Sequence, residues 1–141
     1  MNKKIKLVYF DKEDNIAVES VWGELEGDYY RIKNIPFFAP NIAYNDLVSV
    51  EFDDNELFFD DLITPSGHST LHIIFFDKNE ISKVCQQLLF LGCSWEGSHI
   101  KEYISVDIPK EVSYKSIKFY MNDLEQKNIL SYKEACLMHK F

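Results

Sequence analysis

The chain has 141 residues, of which 46 % are hydrophobic, 15 % aromatic and 27 % charged, with a formal net charge of −8. A chain of this length buries roughly 70 % of the surface its unfolded form exposes, so one globular unit needs no disulfide or metal staple. The composition excludes disorder, the acidic balance excludes a nucleic-acid surface, and no run approaches the ~18 apolar residues of a membrane span.

The first half reads as β-structure. After Met1-Asn2-Lys3-Lys4 the chain enters an alternating run without the apolar segment and cleavage site of a signal peptide, so a cytoplasmic location is expected. Residues 5–10, 17–25 and 28–33 are short runs rich in Val, Ile, Tyr and Trp, separated by hairpin signals. Residues 34–40 carry Pro36 and Pro40, which disfavour a central strand. Two further strands are predicted at 47–52 and 56–63, joined by Asp53-Asp54-Asn55, with Val48, Val50 and Phe52 on the face opposite Ser49, Glu51 and Asp53.

The period changes in the second half. Residues 71–76 form a strand candidate, and Ile81, Val84, Cys85, Leu88 and Leu89 then recur at helical spacing, with Asp77 or Asn79 as cap and Gly92 as stop. Residues 95–98 and 102–108 predict a hairpin ended by Pro109. Tyr114, Ile117, Met121 and Leu124 predict a second helix closing near Asn128, and residues 129–137 a final strand. Strand, helix, strand, strand, helix, strand is the split βαβ order of ferredoxin-like domains. The expected fold is therefore α+β: a β-rich lobe over 1–66, curled sheet or small barrel, and a ferredoxin-like lobe over 67–141, packed as one compact unit.

Charge is distributed unevenly along the chain. No lysine or arginine lies between Lys33 and Lys78, where Asp46, Glu51, Asp53, Asp54, Glu56, Asp60, Asp61 and Asp77 accumulate. A field of one sign steers oppositely charged partners and repels nucleic acid. Tyr44, Phe58 and Phe59 are the aromatic anchors expected within that surface.

Signals for chemistry are sparser. The five glycines form neither a dinucleotide fingerprint nor a phosphate loop. Gly67-His68-Ser69-Thr70 places an imidazole beside a hydroxyl, but neighbours on a strand point to opposite faces, so His68 and Ser69 are poorly placed as a catalytic pair. His68, Ser69 and Cys93 define an alternative pocket between the two halves. His68, His72, Cys93 and His99 match no metal-ligand spacing, so neither metal nor cofactor is expected. His72, between Leu71 and Ile73, is expected as a hydrogen-bonded histidine on the outer sheet face. Cys85, Cys93 and Cys136 are odd in number and flanked by apolar residues, as buried free thiols are.

The segment Asn34-Ile35-Pro36-Phe37-Phe38-Ala39, followed by Tyr44-Asn45-Asp46-Leu47-Val48-Ser49-Val50, Ser66-Gly67-His68-Ser69-Thr70-Leu71, Leu91-Gly92-Cys93 with Glu96, and Val106-Asp107-Ile108-Pro109, resembles a bacterial single-domain family of unknown function. The resemblance spans roughly residues 5–138. It implies a small stand-alone bacterial protein and transfers no activity or catalytic residue. In element order alone the C-terminal half also resembles ferredoxin-like inhibitors of bacterial ribonucleases. The function expected from the charge map is recognition without catalysis: an immunity-type inhibitor whose acidic surface (Tyr44, Asp46, Glu51, Asp53, Asp54, Glu56, Phe58, Phe59, Asp60, Asp61) neutralises a basic toxin such as a nuclease. The alternative is a small enzyme or ligand-binding protein using His68, Ser69 and Cys93.

Overall fold

A computed structural model describes residues 2–140. Strands β1 (Asn2–Phe10), β2 (Ile16–Glu26), β3 (Tyr29–Ile32), β4 (Leu47–Asp53) and β5 (Glu56–Thr64) close into a barrel, which decides between the curled sheet and the barrel left open by the sequence. Closure comes from β5 returning beside β1 in parallel, at Ile5↔Leu57 and Lys6↔Phe58; the other neighbours are antiparallel. Alternation then sorts the side chains. Ile5, Leu7, Val21, Ile32, Val48 and Leu57 fill the interior, with Ala39 and Ile42 packed against them. The β4–β5 turn holds Asp54 and Asn55 at φ 51° and 64°, the paired positive values of a type I′ hairpin.

The second lobe runs β6 (Ser69–Phe75), α1 (Ile81–Phe90), β7 (Ser94–Gly97), β8 (Tyr103–Ile108), α2 (Tyr114–Gln126) and β9 (Leu130–Cys136), in sheet order β7-β8-β6-β9. This antiparallel arrangement is the ferredoxin-like fold expected from the element order. Asp77 accepts from Asn79 N at 3.0 Å and caps a short 3₁₀ turn, Lys78–Glu80, that leads into α1. Gly92, at φ 96°, ends α1, with Cys93 N donating to Leu88 O at 2.9 Å. Leu71, Ile73 and Phe75 of β6 and Ile104, Val106 and Ile108 of β8 meet Val84 and Leu88 of α1 and Ile117 and Met121 of α2 in one core.

All of β6 except Ile74 is buried, on both faces. One face meets the helices. Residues 34–46, a strap linking β3 to β4, cover most of the other, so this loop lies between the lobes rather than over the surface.

At Gly23 of β2 a methyl group would sit 2.3 Å from Ile5 Cδ1 and 3.1 Å from its Cγ1. Gly23→Ala is expected to destabilise the fold by about 1–2 kcal/mol, overpacking outweighing the lost freedom of the unfolded glycine. Combining it with Ile5→Val, which deletes Cδ1, should lower the urea midpoint by less than the two single changes together. Simple additivity would show that the close approach is not what limits this position.

Candidate functional site

The strap carries backbone donors and acceptors into the space between the lobes, and side chains from both satisfy them. Glu19 of β2 accepts from the amides of Phe37, Phe38 and Ala39 at 2.9, 2.9 and 2.7 Å. Glu96 of β7 accepts from Ile35 N at 2.9 Å. From the sheet, Ser105 Oγ donates to Ile35 O at 3.1 Å, His72 Nε2 to Pro36 O at 2.9 Å, Thr70 Oγ1 to Ile42 O at 3.4 Å, and the Tyr103 hydroxyl to Phe37 O. Phe38 stacks between Tyr9 (5.8 Å, 16°) and Tyr103 (5.2 Å, 23°). Burial raises the Tyr103 hydroxyl above its ordinary range, with Glu19 adding to the effect, so the hydroxyl stays a proton donor.

Beyond the strap a groove of about 670 Å³ lies between the end of the β1–β2 hairpin and the uncovered part of the sheet. His72, Ile74, Tyr103 and Lys133 line its sheet side, and Tyr9 and Phe38 face them. A carbonyl only accepts, so His72 Nε2 carries the proton and Nδ1 of the neutral ring presents a lone pair. Nδ1 has no protein partner among the described residues and is not sealed from solvent, although the residue is only 5 % exposed. Burial holds the imidazole down at about 4; the hydrogen bond to Pro36 opposes that shift and the Lys133 charge adds to it. The expected outer-face histidine thus lies beneath the strap.

The three residues of the sequence-derived pocket have other partners. His68 Nδ1 lies 2.8 Å from Asp107 Oδ1, with the Tyr44 ring 5.8 Å away. Burial raises the Asp107 carboxyl, while the bond to His68 opposes that shift. Ser69, fully buried, turns to His139: its Oγ lies 2.5 Å from Nδ1 and accepts from Met138 N at 2.9 Å. Since His139 Nε2 donates to Pro109 O at 2.8 Å, Nδ1 accepts the Ser69 proton, and the hydroxyl clamps the C-terminal segment to β6. Cys93 is buried at the end of α1, its thiol pushed up to about 12 by burial, with the Asp107 charge adding. His68 and Ser69 thus face different partners, and burial favours the protonated thiol at Cys93. Among the described residues, no three His, Cys, Asp or Glu side chains group as a metal site requires.

The acidic residues divide. Asp46 is 2 % exposed and accepts from Ala43 N at 2.9 Å and Ser66 N at 2.8 Å, so it organises the strap's end and lies off the surface. Phe59 packs against the barrel core, and Tyr44 is half-buried. Glu56 pairs with Lys6 at 2.7 Å, because closure brings β1 beside β5. Glu51, Asp53, Asp54, Asp60 and Asp61 are exposed and form no ion pair among the described residues. Phe58 faces outward from the barrel wall, and Phe52, between Glu51 and Asp53, is 68 % exposed.

Sequence reasoning missed Glu19, Tyr103 and His139, and it gave no role to Glu96 and Asp107, although both stand in the motifs that carry the family resemblance. Each acts through a partner far along the chain.

A family model described as a domain of unknown function (DUF4265) matches residues 19–132, from the strap's acceptor Glu19 into β9. Among solved structures, the crystal structure of a hypothetical protein from Neisseria gonorrhoeae is similar at 37 % identity and a TM-score of 0.90, covering 99 % of this chain and 98 % of that one. No curated protein matches. Among the described residues, no helix is long and apolar enough to cross a membrane.

Between pH 6.5 and about 4 the unfolded chain binds a proton at His72 that the fold excludes. Stability from this group is therefore complete above pH 6.5 and falls by roughly 3 kcal/mol as the pH approaches 4. The urea-derived ΔG should lose that part of its slope in His72→Gln; an unchanged slope would mean the ring already protonates in the fold. Burial also raises the thiols of Cys85 and of Cys136, the latter to about 11, so all three should resist iodoacetamide at pH 8 until urea unfolds the chain. Rapid labelling of any native thiol would contradict that assignment.

Proposed function

The chain belongs to the DUF4265 family of domains of unknown function, and from that premise we propose that it is an immunity-type inhibitor that neutralises a basic protein through the β4–β5 wall of its barrel. The observation that carries the reading is an outward-facing aromatic beside exposed carboxylates that form no ion pair: Phe58, the cross-strand partner of Glu51, with Asp53, Asp54, Asp60 and Asp61 on the same hairpin. An aromatic anchor with a charged rim is the anatomy of a specific interface. The rigid type I′ turn holds Asp54 in place, so little ordering is lost on docking. Lys6 pairs with Glu56, and the other five exposed carboxylates of the hairpin form no ion pair among the described residues.

Further round the wall, Val8, Val18, Phe10 and Ile16 form cross-strand pairs on the outer face of β1 and β2, at 49–70 % exposure. Contiguous apolar surface of this kind marks interaction sites. A partner with a basic cleft fits the charge, and a toxin of the nuclease class carries such a cleft for phosphate.

The test begins with capture of partners from the native organism at low salt and release at high salt. Asp53, Asp54, Asp60 and Asp61 all changed to Asn should slow association with the captured protein by about tenfold or more at low salt and flatten its salt dependence. Phe58→Ser should act on dissociation instead. Unchanged affinity and salt slope in the quadruple variant would rule the mechanism out.

A further inference from the structure

The groove on the inner side of the β1–β2 hairpin is separate from the recognition wall and has its own chemistry. A volume of about 670 Å³ suits a small organic molecule. Its walls are largely apolar: Ile74 and Ile100 are each 40 % exposed, and Tyr9, Phe38 and Tyr103 also line it. His72 lines this space, and its Nδ1 is an acceptor without a protein partner among the described residues, reached by solvent, in a tautomer fixed by the Nε2 bond to Pro36 O. An acceptor of fixed tautomer selects a ligand that donates, because a molecule that covers it without a donor displaces water and leaves the lone pair unsatisfied.

Charge supplies the second element of recognition. Lys133 is the β9 cross-strand partner of His72, which places their Cβ atoms about 5 Å apart on one sheet face. It is exposed and forms no ion pair among the described residues. Across the groove the hairpin carries Asp11, Lys12 and Glu13, and the Asp11 carboxylate is turned into its own loop, accepting from Glu13 N and Asn15 N at 2.9 Å. The uncompensated charge on the sheet side is therefore positive.

We propose that this groove binds a small planar aromatic acid that donates an N–H to His72 Nδ1 and sets its carboxylate beside Lys133. The aromatic body lies against Ile74, Tyr9 and Tyr103.

Indole-3-acetate is the probe, followed by NMR on the intact chain. Saturable shifts are expected at the Ile74 and Ile100 methyls, with an upfield move of the His72 Nδ1 nitrogen as its lone pair accepts the ring N–H. Benzofuran-3-acetate, the isostere without that donor, should bind at least about tenfold more weakly. This comparison uses the unaltered protein and does not depend on a folded His72 variant. Lys133→Ala should weaken indole-3-acetate about threefold and leave indole-3-acetamide unchanged. Equal affinity for indole and benzofuran acids, absence of saturable shifts at the groove, or equal loss of acid and amide in Lys133→Ala would each overturn the assignment.

Discussion

Everything in the arrangement of the two lobes depends on satisfying one buried loop. Residues 34–46 carry amides and carbonyls in between the lobes, where each buried group left unpaired is destabilising by about 1–3 kcal/mol. Regular secondary structure does not meet that demand, because the prolines and the irregular path prevent a ladder. Side chains meet it instead: Glu19 takes three amides and Glu96 one, while Ser105, His72, Tyr103 and Thr70 donate to four carbonyls. Glu19 comes from the barrel and the others from the second sheet, so the loop fixes one lobe against the other.

The groove and the recognition wall both follow from that placement. The strap covers the middle of the sheet and leaves Ile74 and Lys133 open, while the long β1–β2 hairpin reaches over this uncovered part. A cavity thus forms where the loop ends. Its histidine is held neutral by the burial that the strap imposes, which turns a residue ordinarily protonated in mild acid into a fixed donor on one side and a fixed acceptor on the other. The β4–β5 hairpin needs no such bonds, and its Glu51, Asp53, Asp54, Asp60 and Asp61 form no ion pair among the described residues.

Barrel closure also corrects the linear reading of charge. The stretch between Lys33 and Lys78 is acidic throughout, yet β5 lies parallel to β1, whose Lys6 reaches Glu56 from 50 residues away. Asp46 has the same charge as its neighbours and a different task, since burial commits both of its oxygens to the backbone.

The sequence by itself determined the elements and their faces. Alternation at Val48 and Val50, the helical spacing of Val84, Cys85 and Leu88, the stop at Gly92 and the βαββαβ order are local properties, governed by backbone geometry and by which side of a strand or helix can leave water. These features appear in the structure within a residue or two of their expected places. Only the tertiary structure decided what those faces meet. Whether five strands close, whether a proline-bearing loop lies outside or between lobes, and whether His68 turns to Ser69 or to Asp107 depend on contacts between residues 20 to 70 positions apart. Such contacts form because buried polar groups must find partners, and the identity of the partner is fixed by the fold as a whole rather than by the residues beside it.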